Sequence, residues 1–270
     1  MISEFEIIEH ARESGVPPST IERDYAQNWL LAGLSKSRFP VALKGGTGIR
    51  KVYIKDYRFS DDLDFTLLEN LELNKIKTYV IDAVETSKNE SGIDFDKNIK
   101  IREIENGYEI TVYFRILRKA GNPLRIKIDI TKKDNEIIVL NLEKREIIHP
   151  YSDDCKAKVL AYSLKEILAE KVRSLFQRTR PRDLYDVWYL LSKYKLSISD
   201  VSHIVAKKCK FKSVKLDFKE LIRRRDNFRS AWKSSLKHQL KDLPDFERVF
   251  EEVIGKIKVL KHIENVTRDF

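Results

Sequence analysis

Asp62 and Asp64 stand two residues apart in the run Arg58-Phe59-Ser60-Asp61-Asp62-Leu63-Asp64-Phe65. Side chains along a strand alternate with period two, so both carboxylates project from one face. Leu63 and Phe65 then take the opposite, core-facing side. Two carboxylates side by side repel unless a cation lies between them. Upstream stands Lys44-Gly45-Gly46-Thr47. Such a turn brings backbone N–H groups close to a phosphate, because glycine has no Cβ to block the approach. A phosphate cradle beside a carboxylate pair is equipment for Mg²⁺-dependent chemistry on a nucleoside triphosphate. Taken singly, the two motifs read more plainly as a tight turn and a solvated strand edge.

Further along, Arg125-Ile126-Lys127-Ile128-Asp129-Ile130 alternates isoleucine with charge, so Lys127 and Asp129 share a face. For Asp129 two readings stand: a third metal ligand or base for an attacking hydroxyl, and a carboxylate on a solvated edge strand. Lys171 lies on or beside the apolar stripe Leu164, Ile167, Leu168, Val172, Leu175. It either snorkels or aims an ammonium at triphosphate oxygens. Asp183 and Asp186, three apart on the next helix, call for cationic partners, with Lys171, Arg173 or Arg178 as candidates. Arg178, Arg180 and Arg182 form a basic group suited to nucleic-acid phosphates. The run Arg223-Arg224-Arg225 reads first as a solvated helix face and second as an RNA contact. The five histidines show no metal spacing, and neither a Gly-x-Ser-x-Gly nor a Walker A sequence occurs.

These groups need elements to hold them. Helices are expected at 3–14 and at 19–35, the second capped by Ser19 with Glu22 three residues on. Val41–Leu43 reads as a buried strand entering the Gly-Gly turn. A short helix over 47–55 would point its N-terminus at that turn. The Asp-x-Asp strand and a helix over 73–88 follow. From Lys97 to Leu142 the chain is β-rich, with alternation at Ile99/Ile101, Ile110/Val112/Phe114, Ile126/Ile128/Ile130 and Ile137/Val139. Asn106-Gly107 and Gly121-Asn122-Pro123 mark the turns. Ser163-Leu-Lys-Glu166 is a second capping box, and from there the pattern is helical, including stretches over 218–240 and 246–260. The fold class expected is α+β: a mixed sheet with N-terminal helices over 1–162, then a helical domain over 163–270.

The chain has 270 residues, 42% of them hydrophobic and 35% charged, with a net charge of +10. It is long enough for a sizeable core, and the charge favours a polyanionic partner. Cys155 and Cys209 are too few for a disulfide framework. No apolar stretch of membrane-spanning length occurs, so a cytoplasmic protein with no membrane partner is expected.

Four ordered motifs together resemble the AbiEii/AbiGii-type nucleotidyltransferase toxins: Lys44-Gly-Gly-Thr47, Arg58-Phe-Ser60-x-Asp62-Leu-Asp64-Phe65, Leu164-Lys-Glu166-Ile-Leu-Ala-Glu170-Lys171, and Arg182-Asp183-Leu-Tyr185-Asp186. Glu22-Arg23-Asp24-Tyr25 fits the same pattern. The resemblance implies a DNA polymerase β-like nucleotidyltransferase core followed by a helical bundle. It implies transfer of NMP from an NTP, with two Mg²⁺ ions held by Asp62, Asp64 and Asp129. In that reading Gly45, Gly46, Thr47, Arg58, Ser60, Asp183 and Asp186 surround the nucleotide, and Lys171 serves the β- and γ-phosphates. An RNA acceptor such as a tRNA 3′ end, bound through Arg178, Arg180 and Arg182, and a cognate antitoxin are implied partners. A protein or small-molecule acceptor, and a non-catalytic RNA- or protein-binding module on the same fold, are the alternative readings.

Overall fold

The computed structural model describes residues 1–118 and 120–264; Lys119 and residues 265–270, the end of the expected helical domain, lie outside it. The chain forms two compact units. One comprises Met1–Glu136 with Leu142–Tyr162, the other Ile137–Asn141 with the chain from Ser163 onward.

The first unit opens with α1 (Glu4–Ser14) and α2 (Pro18–Lys36). α2 starts at Pro18, whose ring presets the helical φ, rather than at a Ser19 cap. Glu22 does not reach back to a cap; its carboxylate accepts the Leu117 N–H at 3.0 Å. Most of α2 is buried, and Asp24, Gln27 and Asn28 each make hydrogen bonds inside, although Gln27 Oε1 and Asn28 Oδ1 receive none. Asp24 meets Arg50 Nε at 2.6 Å and Lys51 Nζ at 2.8 Å.

β1 (Val41–Lys44) runs directly into α3 (Gly45–Val52), which begins two residues earlier than the sequence suggests. Then come β2 (Asp62–Leu67), α4 (Leu73–Ser91), β3 (Asp94–Phe95), β4 (Lys100–Ile104), β5 (Gly107–Arg115), β6 (Leu124–Thr131), β7 (Glu143–Glu146) and β8 (Lys158–Ala161). The strands make one mixed sheet ordered β3-β5-β6-β2-β1-β8-β7, with β4 also paired to β5. β2 lies antiparallel to β1 and parallel to β6. Leu63, Phe65, Ile110, Val112, Phe114, Ile126, Ile128 and Ile130 are all buried in one core. α2 packs against α4 and against β6. The alternate residues of β2, β5 and β6 are left for the other face, which carries Asp62, Asp64, Glu109, Lys127 and Asp129.

The strand expected around Ile137 and Val139 does not form. The N–H groups of Val139 and Leu140 donate to the Glu166 carboxylate, at 3.1 and 3.0 Å, instead of to a ladder.

The second unit is helical: α5 (Leu164–Gln177), α6 (Pro181–Trp188), α7 (Ile198–Phe211), α8 (Phe218–Arg223), α9 (Arg225–Leu236) and α10 (Phe246–Ile257). Ser163 caps α5 by accepting the Glu166 N–H. The Glu166 carboxylate is not turned back to that cap. It is fully buried, takes the two amides just named, and pairs with the equally buried Lys208 at 2.8 Å. The long helix expected over 218–240 is broken at Arg224, whose guanidinium N–H donates to the Leu175 carbonyl at 2.6 Å. No helix among the described residues is long and apolar enough to cross a membrane.

Candidate active site

Cross-strand partners in a sheet present their side chains to the same face. The register sets Asp64 opposite Lys44 of β1 and opposite Asp129 of β6. Asp129 in turn stands opposite Glu109 of β5. Asp62, two residues before Asp64, lies opposite Lys127. Three strands therefore place Asp62, Asp64, Asp129 and Glu109 on one face, with Lys127 among them. Lys127 Nζ is 3.3 Å from Asp129 Oδ1 and 3.6 Å from Glu109 Oε1. Burial opposes the Lys127 charge, but Asp129, Glu109 and Asp62 outweigh it and raise its pKa. Asp129 Oδ1 is sealed from solvent and receives no well-formed hydrogen bond. Among the described residues no group of three or more His, Cys, Asp or Glu side chains stands close enough together to hold a metal ion.

Gly45 has φ +69°, and a Cβ there would lie 2.4 Å from Asp64 Oδ2. The turn thus presses its backbone against the carboxylate, a contact open to glycine alone. A Cβ at Gly46 would likewise meet Arg58 Nη2 at 2.4 Å. The N-cap residue of α3, Lys44, offers its first N–H groups no side-chain acceptor. The rest of the motif is spent on holding the loop. Thr47 is fully buried; its hydroxyl donates to the Asp62 carbonyl and shares a hydrogen bond with the Ser60 hydroxyl at 2.7 Å. Arg58 is buried and donates to the Phe59 carbonyl at 3.0 Å. Gln27 of α2 donates to the Ser60 and Asp61 carbonyls at 3.0 and 3.1 Å, and Arg23 pairs with Asp61 at 2.9 Å. Thr47 and Ser60 thus tie the turn to the start of β2, and Gly45 is its one partly exposed residue.

In the second unit, Lys171 Nζ lies 2.6 Å from Asp183 Oδ1 and 2.9 Å from Asp186 Oδ2. Both acids are buried, and Asp183 also takes Arg178 at 2.9 Å. Asp183 and Asp186 therefore fix the Lys171 ammonium. Burial pushes the Asp183 carboxyl up, but Lys171 and Arg178 hold it well below the ordinary range. Arg178 is engaged by Asp183, Arg180 is exposed and Arg182 half-buried. The run at 223–225 is bound within its unit: Arg223 to Glu220, Arg224 to Leu175, Arg225 to Glu247 and Glu251.

Glu109 is the carboxylate on this face that sequence reading overlooks. Its alternation with Tyr108 and Ile110 shows its face, but only the β5–β6 register brings it to Asp129.

The nucleotidyltransferase toxin MenT4 of Mycobacterium tuberculosis is 18% identical and superposes with a TM-score of 0.60, over 99% of this chain and 100% of its own. A "putative nucleotidyltransferase" of H. pylori is 17% identical with a TM-score of 0.54, over 92% and 97% of the two chains. The fold is thus that of nucleotidyltransferases, with a mixed sheet and a helical C-terminal region. No curated protein sequence matches significantly. Residues 29–252 match the family "Nucleotidyl transferase AbiEii toxin, Type IV TA system". The chain belongs to that family, and it is a nucleotidyltransferase of the toxin–antitoxin class.

Proposed function

We propose that this enzyme transfers NMP from an NTP to the end of an RNA, in a Mg²⁺-dependent reaction. The observation that carries this is the row Asp62, Asp64 and Asp129 on two adjoining parallel strands, beside the uncapped start of α3. All three are oxygen donors of the kind Mg²⁺ takes, and Asp129 Oδ1 is a solvent-shielded acceptor met by the Lys127 ammonium at 3.3 Å. Asp62, Asp64 and Asp129 would hold the metal, which neutralises charge on the transferring phosphoryl group. The first N–H groups of α3 bind triphosphate oxygens, as uncapped helix starts do. Asp129 also accepts the proton of the acceptor hydroxyl. That oxygen bonds to the α-phosphorus while the bond to the β-phosphate breaks, and pyrophosphate leaves. The family resemblance assigns the β- and γ-phosphates to Lys171, whose ammonium Asp183 and Asp186 steady within the second unit.

RNA is favoured as acceptor by charge. The net positive charge falls entirely after Tyr162, while the first 162 residues nearly balance. An antitoxin of the same system is the expected protein partner. The test is incubation with each radiolabelled NTP, Mg²⁺ and total RNA, separating labelled RNA from labelled protein. Labelled RNA with pyrophosphate release is expected, lost in Asp64→Asn at an unchanged melting temperature. Label on protein or a small molecule would replace the acceptor; pyrophosphate absent with every NTP would leave a binding module.

A further inference from the structure

We propose that Lys127 is the resident counter-cation of the carboxylate row, and that it yields Asp129 and moves to Glu109 when a divalent cation enters. This rests on the reading of Asp62, Asp64 and Asp129 as metal carboxylates.

Lys127 precedes Asp129 by two residues on β6, so both rise from one face. The register flanks it with Asp62 on β2 and Thr111 on β5. Its ammonium therefore sits among acids contributed by three strands, 3.3 Å from Asp129 Oδ1 and 3.6 Å from Glu109 Oε1. The charged groups facing it are Asp62, Asp129 and Glu109, with Arg102 behind Glu109 at 2.6 Å. Uncompensated, these carboxylates would repel one another.

A Mg²⁺ ion binds carboxylate oxygen at about 2.0–2.1 Å. An ammonium held close to the same Asp129 oxygen opposes it by like-charge repulsion. The two cations therefore compete for Asp129 Oδ1. Glu109 offers the displaced ammonium a seat on the same row, one strand further from Asp64 and Asp62. Metal affinity is then set by this exchange as well as by the ligands. The row carries a compensating charge beside Asp129 and Glu109 before the metal arrives.

The experiment is calorimetric titration of the full chain with Mn²⁺ alone, at low salt and without NTP. Wild type is compared with Lys127→Met, Lys127→Gln, Glu109→Gln and Asp129→Asn, and each melting temperature is read in EDTA. Lys127→Met should bind Mn²⁺ about fivefold tighter, the scale of a half-exposed ion pair near 1 kcal/mol, and melt lower in EDTA. Glu109→Gln should bind more weakly, because the displaced ammonium loses its seat. Lys127→Gln, which keeps a polar side chain, should repeat the tighter binding. Unchanged or weaker Mn²⁺ binding in both Lys127 variants overturns the exchange and leaves the metal site standing. No Mn²⁺ binding by wild type, or binding indifferent to Asp129→Asn, overturns the metal reading itself, and the exchange with it.

Discussion

Gly45 and Asp64 touch: at φ +69° the glycine backbone leaves only 2.4 Å between its would-be Cβ and Asp64 Oδ2. The turn and the acid strand are therefore one construction, joined at β1–β2 where Lys44 pairs with Asp64.

Gly45→Ala should damage both halves of that construction. The left-handed backbone costs an L-residue roughly 1–2 kcal/mol, before the clash with the carboxylate is counted. Transfer activity should fall more steeply than the melting temperature, because the methyl group displaces Asp64 itself. Wild-type activity in this variant would separate the turn from catalysis.

Lys171→Ala strands Asp183 and Asp186 without their shared ammonium. Breaking a buried pair by removing one partner costs about 3–5 kcal/mol, so a large drop in the urea midpoint is expected. Lys171→Arg keeps a cation for the acids and separates the two roles. Its stability should stay near wild type while the KM for NTP rises. An unchanged KM would make Lys171 a purely structural residue.

Glu166 holds Val139 and Leu140 through their amides and Lys208 through charge. Glu166→Leu should release segment 137–141. Hydrogen exchange at those two amides should accelerate by at least tenfold, since a lost hydrogen bond to a charged group is worth about 1.5–3 kcal/mol. Retained protection would show the segment is held by other means.

Stability should fall on the acid side. Burial pushes Asp24 and Asp183 up, but Arg50 with Lys51, and Lys171 with Arg178, hold both carboxyls well below the ordinary range. The unfolded chain then binds more protons than the folded one, so stability rises with pH across that interval. The contribution is complete above the unfolded carboxyl pKa of about 4 and is lost as pH drops below it. Urea midpoints should be level from about pH 5 to 7 and decline below about pH 4. Asp183→Asn should flatten that decline; an equal slope in the variant would remove Asp183 as a source.

RNA binding should depend steeply on salt. If about six phosphates are neutralised, affinity falls roughly a thousandfold between about 50 and 200 mM salt. Arg180→Glu, at an exposed position, should weaken binding and reduce the salt slope by about 1. NTP binding should be untouched. A flat salt response would remove RNA as the acceptor.

Local patterns in the sequence determined the faces. The alternation of Leu63 and Phe65 with Asp62 and Asp64, and of three isoleucines with Lys127 and Asp129, follows from the two-residue strand period, and both appear as read. Asn106-Gly107 marks the β4–β5 turn for the same reason: turn chemistry is short-range. Register and ion partners are not short-range, and tertiary structure alone decided them. A period of two says which face Glu109 takes, but not that β5 lies beside β6 with Glu109 against Asp129. The apolar alternation at Ile137 and Val139 reads as a strand, yet the Glu166 carboxylate outbids a ladder for the neighbouring amides. Ser19 has the spacing of a cap, but Pro18 already starts the helix and Leu117 takes Glu22. Arg225 looks free for RNA until α10 brings Glu247 and Glu251 to it. Each of these depends on which distant backbone or charge arrives, and a one-dimensional pattern does not carry that information.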